Sequence, residues 1–327
     1  MAARRINIDI HQHYVPDAYF DAVTRSPGEY GASLDGDFLV LGSGLRFKWS
    51  REQRDLSLRL RDMDKGRIDR AVLSILPPFF SYNEAPDRAQ RICALFNDAI
   101  AEAARHPSGR FVAMGHVPLQ DVPASIAEME KRRFPAVQIG SNIQGRSLDD
   151  PELLPFFQAA ERLGVFVFVH PTVANIIGAD RLKNYYLRNF IGNVTETAVA
   201  IASVMFGGVL DACPKLNICF AHGGGSAPYI WGRWAHGQTV RKEARVKTTT
   251  PVDELKKRIF TDTLTHSAPA LKYLIGELGP DNVLVGSDYP ADMANNEQVR
   301  LVEGLGLDAD AVGKVTGGSA ARVLGLD

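Results

Sequence analysis

The sequence has no excess of charge of either sign. Its 327 residues include 37 lysines and arginines against 38 aspartates and glutamates, which gives a formal net charge of -1. Balanced charge produces no global field that would favour nucleic acid or an anionic membrane. We therefore expect a small-molecule substrate, and neither a nucleic-acid partner nor a membrane.

Cysteine is scarce and long apolar runs are missing. The three cysteines, Cys93, Cys213 and Cys219, lack the paired spacing of a zinc knuckle or of a secreted disulfide framework. No segment approaches the roughly 18 apolar residues of a membrane span, and the chain enters a strand-like run at Ile6 without the apolar core of a signal peptide. We therefore expect buried free thiols in a soluble, cytoplasmic protein.

Two nucleotide-binding patterns are also missing. No Gly-x-Gly-x-x-Gly follows the first strand-like run, which argues against an open dinucleotide-binding sheet. The glycine run at 223–225 is not followed by the Lys-Ser/Thr pair of a phosphate loop. Close approach of the backbone to a site explains these glycines better.

Eight short runs rich in β-forming residues are present instead. Most are almost continuously apolar, which is typical of parallel strands covered on both faces. They are residues 6–10, 70–76, 111–117, 136–140, 165–169, 217–221, 258–263 and 282–287. Helix-length segments separate them, most clearly residues 84–105, 122–133, 151–163, 195–213 and 267–278. The alternation predicts an α/β fold, a (β/α)8 TIM-type barrel forming one domain over residues 1–327, in preference to an open doubly wound sheet.

Residues 14–49 do not fit a simple barrel. They contain short apolar runs separated by Asp35-Gly36 and by Gly42-Ser43-Gly44, which are typical of tight turns. We predict a small antiparallel β insertion here, after the first strand, that stands over the barrel mouth.

Four of the strand-like runs lead to a possible metal ligand or proton carrier. The first leads to His11 and His13, whose spacing aims both imidazoles to one side of a strand end. Later runs lead to His170, His222 and Asp288. Because the carboxyl ends of all barrel strands meet at one mouth, we expect these five side chains to converge.

Imidazoles and a carboxylate are suitable ligands for one divalent metal ion. Zinc is the expected ion, and manganese is the alternative. An incomplete set of protein ligands leaves a position for water or substrate, and zinc lowers the pKa of bound water from 15.7 to about 7. A nearby carboxylate or imidazole can then move protons between that water and a substrate. The sequence thus predicts an open, catalytic metal site.

The motifs around these residues resemble those of the amidohydrolase superfamily. They are His11-Gln12-His13, Val169-His170-Pro171, Ala221-His222-Gly223-Gly224-Gly225 and Gly286-Ser287-Asp288-Tyr289-Pro290. The triple glycine and the Ser-Asp-Tyr-Pro run are similar, more narrowly, to the branch that contains aminocarboxymuconate-semialdehyde decarboxylase. The resemblance implies that His11, His13, His170 and Asp288 ligate one metal. It also implies that His222 takes part in proton transfer, with direct metal contact as the alternative.

Two arginines match positions at which this branch holds substrate carboxylates. They are Arg46, in the insertion, and Arg233, eleven residues after His222. A guanidinium presents two parallel donors that match a carboxylate. The alternatives are an ordinary surface charge for Arg46 and a salt bridge on a helix for Arg233. In the branch the second arginine comes from a neighbouring subunit, so the resemblance implies a homodimer. Phe190 stands where the muconate enzyme has a tryptophan near its substrate.

The predicted reaction is metal-dependent, non-oxidative decarboxylation of an unsaturated or aromatic carboxylic acid that carries hydroxy or amino groups. His222 or Asp288 would deliver the proton, directly or through metal-bound water. Residues 291–296 depart from the muconate enzyme, which has an aromatic residue after the Ser-Asp-Tyr-Pro run, so the chemistry carries over more readily than the substrate. The alternative enzyme is a hydrolase of a lactone, ester or amide, or a hydratase, because the same metal hydroxide would serve. A metal-binding protein without turnover is the alternative from another class.

Three further polar residues follow predicted strands. Asp262 is expected to hydrogen-bond a ligating histidine. His116 and His266 are expected to have structural roles at the barrel mouth. The alternatives are that His116 faces the pocket and that His266 contributes to a substrate wall.

Overall fold

The eight predicted barrel strands form one parallel sheet. The computed structural model describes residues 6–42 and 44–326. Within that part of the chain, the sheet contains, in spatial order, β1 (Ile8–His13), β5 (Arg70–Ser74), β6 (Phe111–His116), β7 (Ala136–Gly140), β8 (Phe166–His170), β9 (Ile218–Phe220), β10 (Phe260–Asp262) and β11 (Val283–Leu284). The spatial order follows the chain order, which is the arrangement of a TIM-type barrel.

Hydrogen bonds between the first and the last strand close the sheet. Ile10 N donates to Val285 O, and Asp288 N donates to His11 O, each at 2.9 Å. The seam therefore lies directly beside two of the candidate metal ligands.

Apolar side chains fill the barrel interior. Ile8, Ile10, Phe166 and Phe168 are buried there, and helix α14 (Ser319–Leu324) packs against the same cluster. A larger apolar layer lies between the strands and the surrounding helices. Those helices are α1 (Asp17–Arg25), α2 (Arg51–Arg54), α3 (Leu56–Gly66), α4 (Pro86–Ala104), α5 (Val122–Arg132), α6 (Leu154–Leu163), α7 (Val194–Phe206), α8 (Val209–Ala212), α9 (Ala227–Val240), α10 (Val252–Leu255), α11 (Ala268–Leu278), α12 (Gln298–Glu303) and α13 (Ala309–Gly313). Short 3₁₀ segments are Pro77–Phe79, Pro151–Leu153, Ala179–Arg181, His222–Gly224, Lys242–Arg245 and Lys256–Arg258, and π-helical segments are Arg188–Asn193 and Lys314–Gly318.

Four of the five predicted helical segments agree with the structure to within a few residues. The fifth, residues 195–213, is wrong as a single helix. α7 ends at Phe206, and Gly208, with φ +79°, separates it from α8. A left-handed backbone interrupts the helical hydrogen-bond ladder, and glycine adopts that conformation without a steric penalty.

The predicted insertion is an antiparallel sheet of β2 (Ala32–Asp35), β3 (Phe38–Leu41) and β4 (Arg46–Lys48). Gly36 lies in the first turn with φ +57°, and Ser43 of the second predicted turn lies outside the described residues. Helix α1 was not predicted. The insertion packs through Phe47 against Phe79, with ring centroids 5.6 Å apart, and Phe79 follows β5, so the insertion stands over the carboxyl ends of the strands.

The cysteines agree with the compositional expectation. All three cysteines are buried free thiols. Among residues 6–42 and 44–326, every helix is too short or too polar to cross a membrane.

Candidate metal centre

β1 brings two histidines into the barrel mouth through a β-bulge. The register between β1 and β5 shifts between Asp9 and Gln12. Ile10 lies in the barrel interior, and so does the ring of His11, whose centroid is 4.8 Å from that of the interior Phe168. Regular alternation would turn Ile10 and His11 to opposite sides of the strand. The bulge therefore lets one strand provide both an apolar floor and metal ligands.

Three histidines turn their Nε2 atoms toward one point. Each Nδ1 faces an acceptor: Asp262 Oδ2 for His11 (2.7 Å), the Ile75 carbonyl for His13 (3.0 Å) and the Pro171 carbonyl for His170 (2.9 Å). An acceptor at Nδ1 places the ring proton there and leaves the Nε2 lone pair free. Nε2 of His170 is buried without a hydrogen-bond partner. The donor atoms are thus arranged for a cation.

Asp288 adds a carboxylate at the same point. Its Oδ1 lies 3.0 Å from His13 Nε2 and 3.2 Å from His11 Nε2, and these two nitrogens are 3.2 Å apart. One ligand atom from each of His11, His170, His222 and Asp288 lies within 4.8 Å of the others. His13 falls outside that group of four, but its two shorter distances place it at the same point. Neutral imidazoles and a carboxylate in this arrangement fit one divalent metal ion.

His222 differs from the other three histidines in its position. It follows β9 with a left-handed φ of +58°, and its Nε2 lies 3.7 Å from Asp288 Oδ2. Its Nδ1 has no hydrogen-bond partner, and 14% of its side chain is exposed. The ring thus stands between the buried donor atoms and an open cavity, where it can contact a substrate.

Asp262 makes the predicted contact to a candidate ligand. Besides His11 Nδ1, its Oδ2 accepts from the amide of His222 at 3.0 Å, and its Oδ1 accepts from the amide of Gly223 at 2.7 Å. One buried carboxylate therefore fixes the His11 ring and the backbone that carries His222.

The electrostatics of the cluster favour a positive charge. Burial raises the pKa of Asp288, but the neighbouring imidazoles, His11 above all, outweigh burial and hold it well below its ordinary value. Burial lowers the pKa of His13 and that of His170, which keeps both rings neutral. Burial also lowers the pKa of His11, yet Asp288 and Asp262 together raise it to about 10. The two carboxylates thus attract positive charge to this point, either a proton or a metal ion.

A cavity of about 380 Å³ opens beside the cluster, with His222 and Asp288 among its lining residues. Its wall is mostly apolar and aromatic, as in typical small-molecule sites. Residues of the wall include Phe190, Tyr229, Leu264, Tyr273 and Met293, with Asn189, Asn193 and His266 as polar groups. Sequence reasoning missed the two asparagines and the two tyrosines, because a π-helix and two helices contribute them without a recognisable motif.

The three predicted substrate-binding residues lie in different places. Phe190 lines the cavity and is 52% exposed. Arg46 is on β4, where it pairs with Asp35 at 2.8 Å and lies over the ring of Phe38. Arg233 is exposed on α9, outside the cavity lining, and one helical turn after Tyr229. The structure therefore brings only Phe190 to the cavity within this subunit.

The other two histidines that were predicted at the barrel mouth, His116 and His266, also have defined places. His116 is buried and stacks on Phe80, with ring centroids 5.2 Å apart, and burial lowers its pKa to about 4. His266 lines the cavity with φ +54°. The stacking of His116 on Phe80 is a structural contact, whereas His266 is accessible to a substrate in the cavity.

A parallel eight-stranded barrel with a histidine and aspartate cluster at its carboxyl-terminal mouth defines a class of metal-dependent enzymes. Residues 8–326 match the Amidohydrolase family, and the chain belongs to that family.

Relatives place the chain more narrowly. It is 33% identical to 2-amino-3-carboxymuconate-6-semialdehyde decarboxylase of Dictyostelium discoideum, over 99% of this chain and 93% of the relative. It is 27% identical to gamma-resorcylate decarboxylase of Rhizobium radiobacter, over 98% of each chain. A structure of 5-carboxyvanillate decarboxylase from Novosphingobium aromaticivorans, with bound manganese and 3-methoxy-4-hydroxy-5-nitrobenzoic acid, superposes with a TM-score of 0.80 at 22% identity, covering 98% of this chain and 97% of that one. The chain thus belongs to the branch of aminocarboxymuconate-semialdehyde decarboxylase.

Proposed function

We propose that this protein is a metal-dependent carboxy-lyase that decarboxylates an unsaturated or aromatic carboxylic acid bearing hydroxy or amino groups. The observation that carries the proposal is the convergence of three imidazole nitrogens and one carboxylate beside a cavity of about 380 Å³. The chain's 33% identity to a named decarboxylase supports the choice of reaction.

His11, His13, His170 and Asp288 would hold the metal ion. When bound, the ion would polarise a substrate oxygen beside the scissile carboxylate and stabilise developing negative charge. Zinc is the ion that we propose, because a set of three imidazoles and a carboxylate is typical of catalytic zinc. Manganese, present in the 5-carboxyvanillate decarboxylase structure, is the alternative. Metal analysis of the purified protein decides between them.

His222 is the proposed proton donor. As the bond to the carboxyl group breaks, its electron pair stays on the ring or alkene carbon, carbon dioxide leaves, and a proton from His222 takes the vacated position. The partial exposure of this side chain lets solvent return the proton after each turnover. Asp288 lies close enough to stabilise the protonated imidazole.

We propose that Arg46 and Arg233 bind substrate carboxylates and that Phe190 packs against the planar face of the substrate. Arg233 is exposed and does not line its own cavity, so it would act in the cavity of a second copy. Phe190, Tyr229 and Tyr273 are exposed around the same cavity, and the exposed Tyr186 lies against Phe190 with ring centroids 5.3 Å apart. Apolar exposure of this kind marks interaction surfaces, and it supports a homodimer.

The buried free thiols are compatible with the cytoplasm, which we propose as the location of the protein.

The proposal is tested by carbon dioxide release from hydroxybenzoates, aminobenzoates and carboxymuconate semialdehydes. Protein reconstituted with zinc or with manganese should release carbon dioxide from at least one acid, and chelation should abolish release because the charge-stabilising ion is lost. Asp288→Asn is the control, and its turnover should fall by about 10²-fold or more, as when one transition-state-stabilising group is removed. Release of an alcohol or amine from a lactone, ester or amide panel, with no carbon dioxide from any acid, would instead establish a hydrolase.

A further inference from the structure

Asp9 is a fully buried carboxylate behind the metal ligands. It accepts hydrogen bonds from the amides of His11 (3.0 Å) and Ser287 (3.1 Å), from the Ser287 hydroxyl and from Gln12 Nε2 (2.7 Å). A carboxylate has about four lone-pair sites, so these four donors engage all of them. Asp9 therefore ties β1 to the residue that precedes Asp288.

These bonds replace part of a regular β ladder at the barrel seam. The amides of His11 and Ser287 bond to the Asp9 side chain, and the next ladder bond, Asp288 N to His11 O, follows at 2.9 Å. The side chain thus stabilises the bulge that turns His11 into the barrel. It fixes the backbone on both sides of the seam, next to one ligand from each strand.

A buried arginine extends the network. Arg59, 1% exposed, donates from Nη1 to Gln12 Oε1 at 2.9 Å and from Nη2 to the carbonyl of His13 at 2.7 Å. The amide of Gln12 therefore links the guanidinium to the Asp9 carboxylate, accepting from one and donating to the other. The guanidinium also lies 4.7 Å from the ring centroid of Tyr289. Buried charges that are linked and hydrogen-bonded in this way hold a fixed geometry.

We propose that Asp9 is a positioning residue for the metal centre. Its carboxylate holds His11 and Asp288 at the separation that one metal ion needs, although it contacts neither the ion nor the substrate. Groups that orient metal ligands in this way contribute about 10- to 100-fold to metal affinity. The inference rests on the metal centre of the proposed function, but metal binding is measured without any substrate. A failure to find decarboxylation would therefore leave it standing.

The experiment is a Co²⁺ titration of the metal-free protein, followed by the visible absorption of bound Co²⁺ and by competition with a chromophoric chelator. Asp9→Asn should bind Co²⁺ about 10- to 100-fold more weakly, with a shifted absorption band, because an amide offers one acceptor oxygen and turns its own hydrogens toward the remaining donors. The matched control is Asp121→Asn. Asp121 accepts from Ala124 N at 3.0 Å at the start of α5, away from the centre, and this variant should bind Co²⁺ as the native protein does.

A second variant keeps the test decisive if Asp9→Asn does not fold. Ser287→Ala removes one donor and retains the Asp9 carboxylate, and it should weaken Co²⁺ binding by about tenfold while the far-ultraviolet circular dichroism stays native. Native affinity and an unshifted band in a folded variant at either position would overturn the proposal. An equal loss of affinity in Asp121→Asn would also overturn it, since the effect would then be general destabilisation. If the native protein bound no Co²⁺, the proposed metal centre would be contradicted, and the inference about Asp9 with it.

Discussion

The position of one proton on each imidazole determines what the centre can bind. Acceptors at Nδ1 orient the Nε2 atoms of His11, His13 and His170 toward one shared point, whereas Nδ1 of His222 has no such partner. His222 and Asp288 also adopt left-handed backbone conformations, which typically cost about 1–3 kcal/mol for residues other than glycine. Surrounding hydrogen bonds, including those that the amides of His222 and Gly223 donate to Asp262, hold the strained geometry at His222. The three imidazoles are therefore oriented as metal ligands would be, and His222 has a different environment.

His222→Gln separates a proton carrier from a ligand. We expect the variant to retain a stoichiometric metal ion, because the other three imidazoles and Asp288 are untouched, while kcat falls by about 10²- to 10⁴-fold with the loss of general acid catalysis. Metal content by mass spectrometry and steady-state carbon dioxide release are the two measurements. His11→Ala is the comparison, and it should lose most of its metal. A His222→Gln protein that loses metal as His11→Ala does would make His222 a ligand.

The last three strands of the barrel are short, and the segments that follow them contain candidate catalytic residues. β9 and β10 have three residues each and β11 has two, so His222 and Asp288 lie on turns immediately beyond the sheet. These turns approach each other closely at Gly286. A Cβ there would lie 2.7 Å from that of Asp262 and 2.9 Å from that of His11. The close approach of β1, β10 and β11 therefore requires glycine at this position.

Gly286→Ala should destabilise the protein by about 1–3 kcal/mol, because the added methyl group forces packed backbone apart. Urea unfolding followed by circular dichroism measures the effect. Gly276→Ala, in helix α11, is the matched control, since its Cβ would meet no atom within 4 Å. That variant should be as stable as the native protein or gain up to about 1 kcal/mol from helix propensity. Equal stability of both variants would show that the seam relaxes without cost.

At the scale of the whole molecule, the cavity beside the metal cluster adjoins exposed aromatic side chains. Phe190, Tyr229 and Tyr273 are exposed and also line the cavity. Arg233 lies one turn beyond Tyr229 on the same helix and faces solvent in the single subunit. A partner subunit that covers this surface would bury the aromatic side chains and bring a guanidinium to the neighbouring cavity.

Mixing two inactive variants tests this arrangement. Arg233→Ala and Asp288→Asn should each lose most activity, and subunit exchange should restore about a quarter of native activity, because half of the dimers in a two-fold assembly would be mixed and each would contain one complete site. The measurement is carbon dioxide release after dissociation and reassociation of equal amounts. A mixture of Asp288→Asn with His11→Ala is the control and should stay inactive, since both substitutions damage the metal site of their own subunit. No recovery in the first mixture would contradict the shared site.

The sequence by itself determined the barrel and the location of its centre. Continuous apolar runs alternating with helical segments specify strands covered on both faces, and a ligand at the end of such a run must reach the barrel mouth. The strand order, the insertion and the convergence of His11, His13, His170 and Asp288 followed from those local patterns. The contact of Asp262 with His11 could also be predicted from the sequence, because Asp262 ends a strand in the same barrel.

The tertiary structure alone decided the bulge in β1 and the cavity wall. The bulge depends on Asp9 meeting Ser287, which is 278 residues away in the chain, so no local pattern reports it. The cavity wall combines side chains from helices whose relative positions follow from packing, and their residue types carry no signal of their own. Local periodicity specifies elements because it reflects backbone geometry, whereas contacts between distant segments depend on how those elements pack.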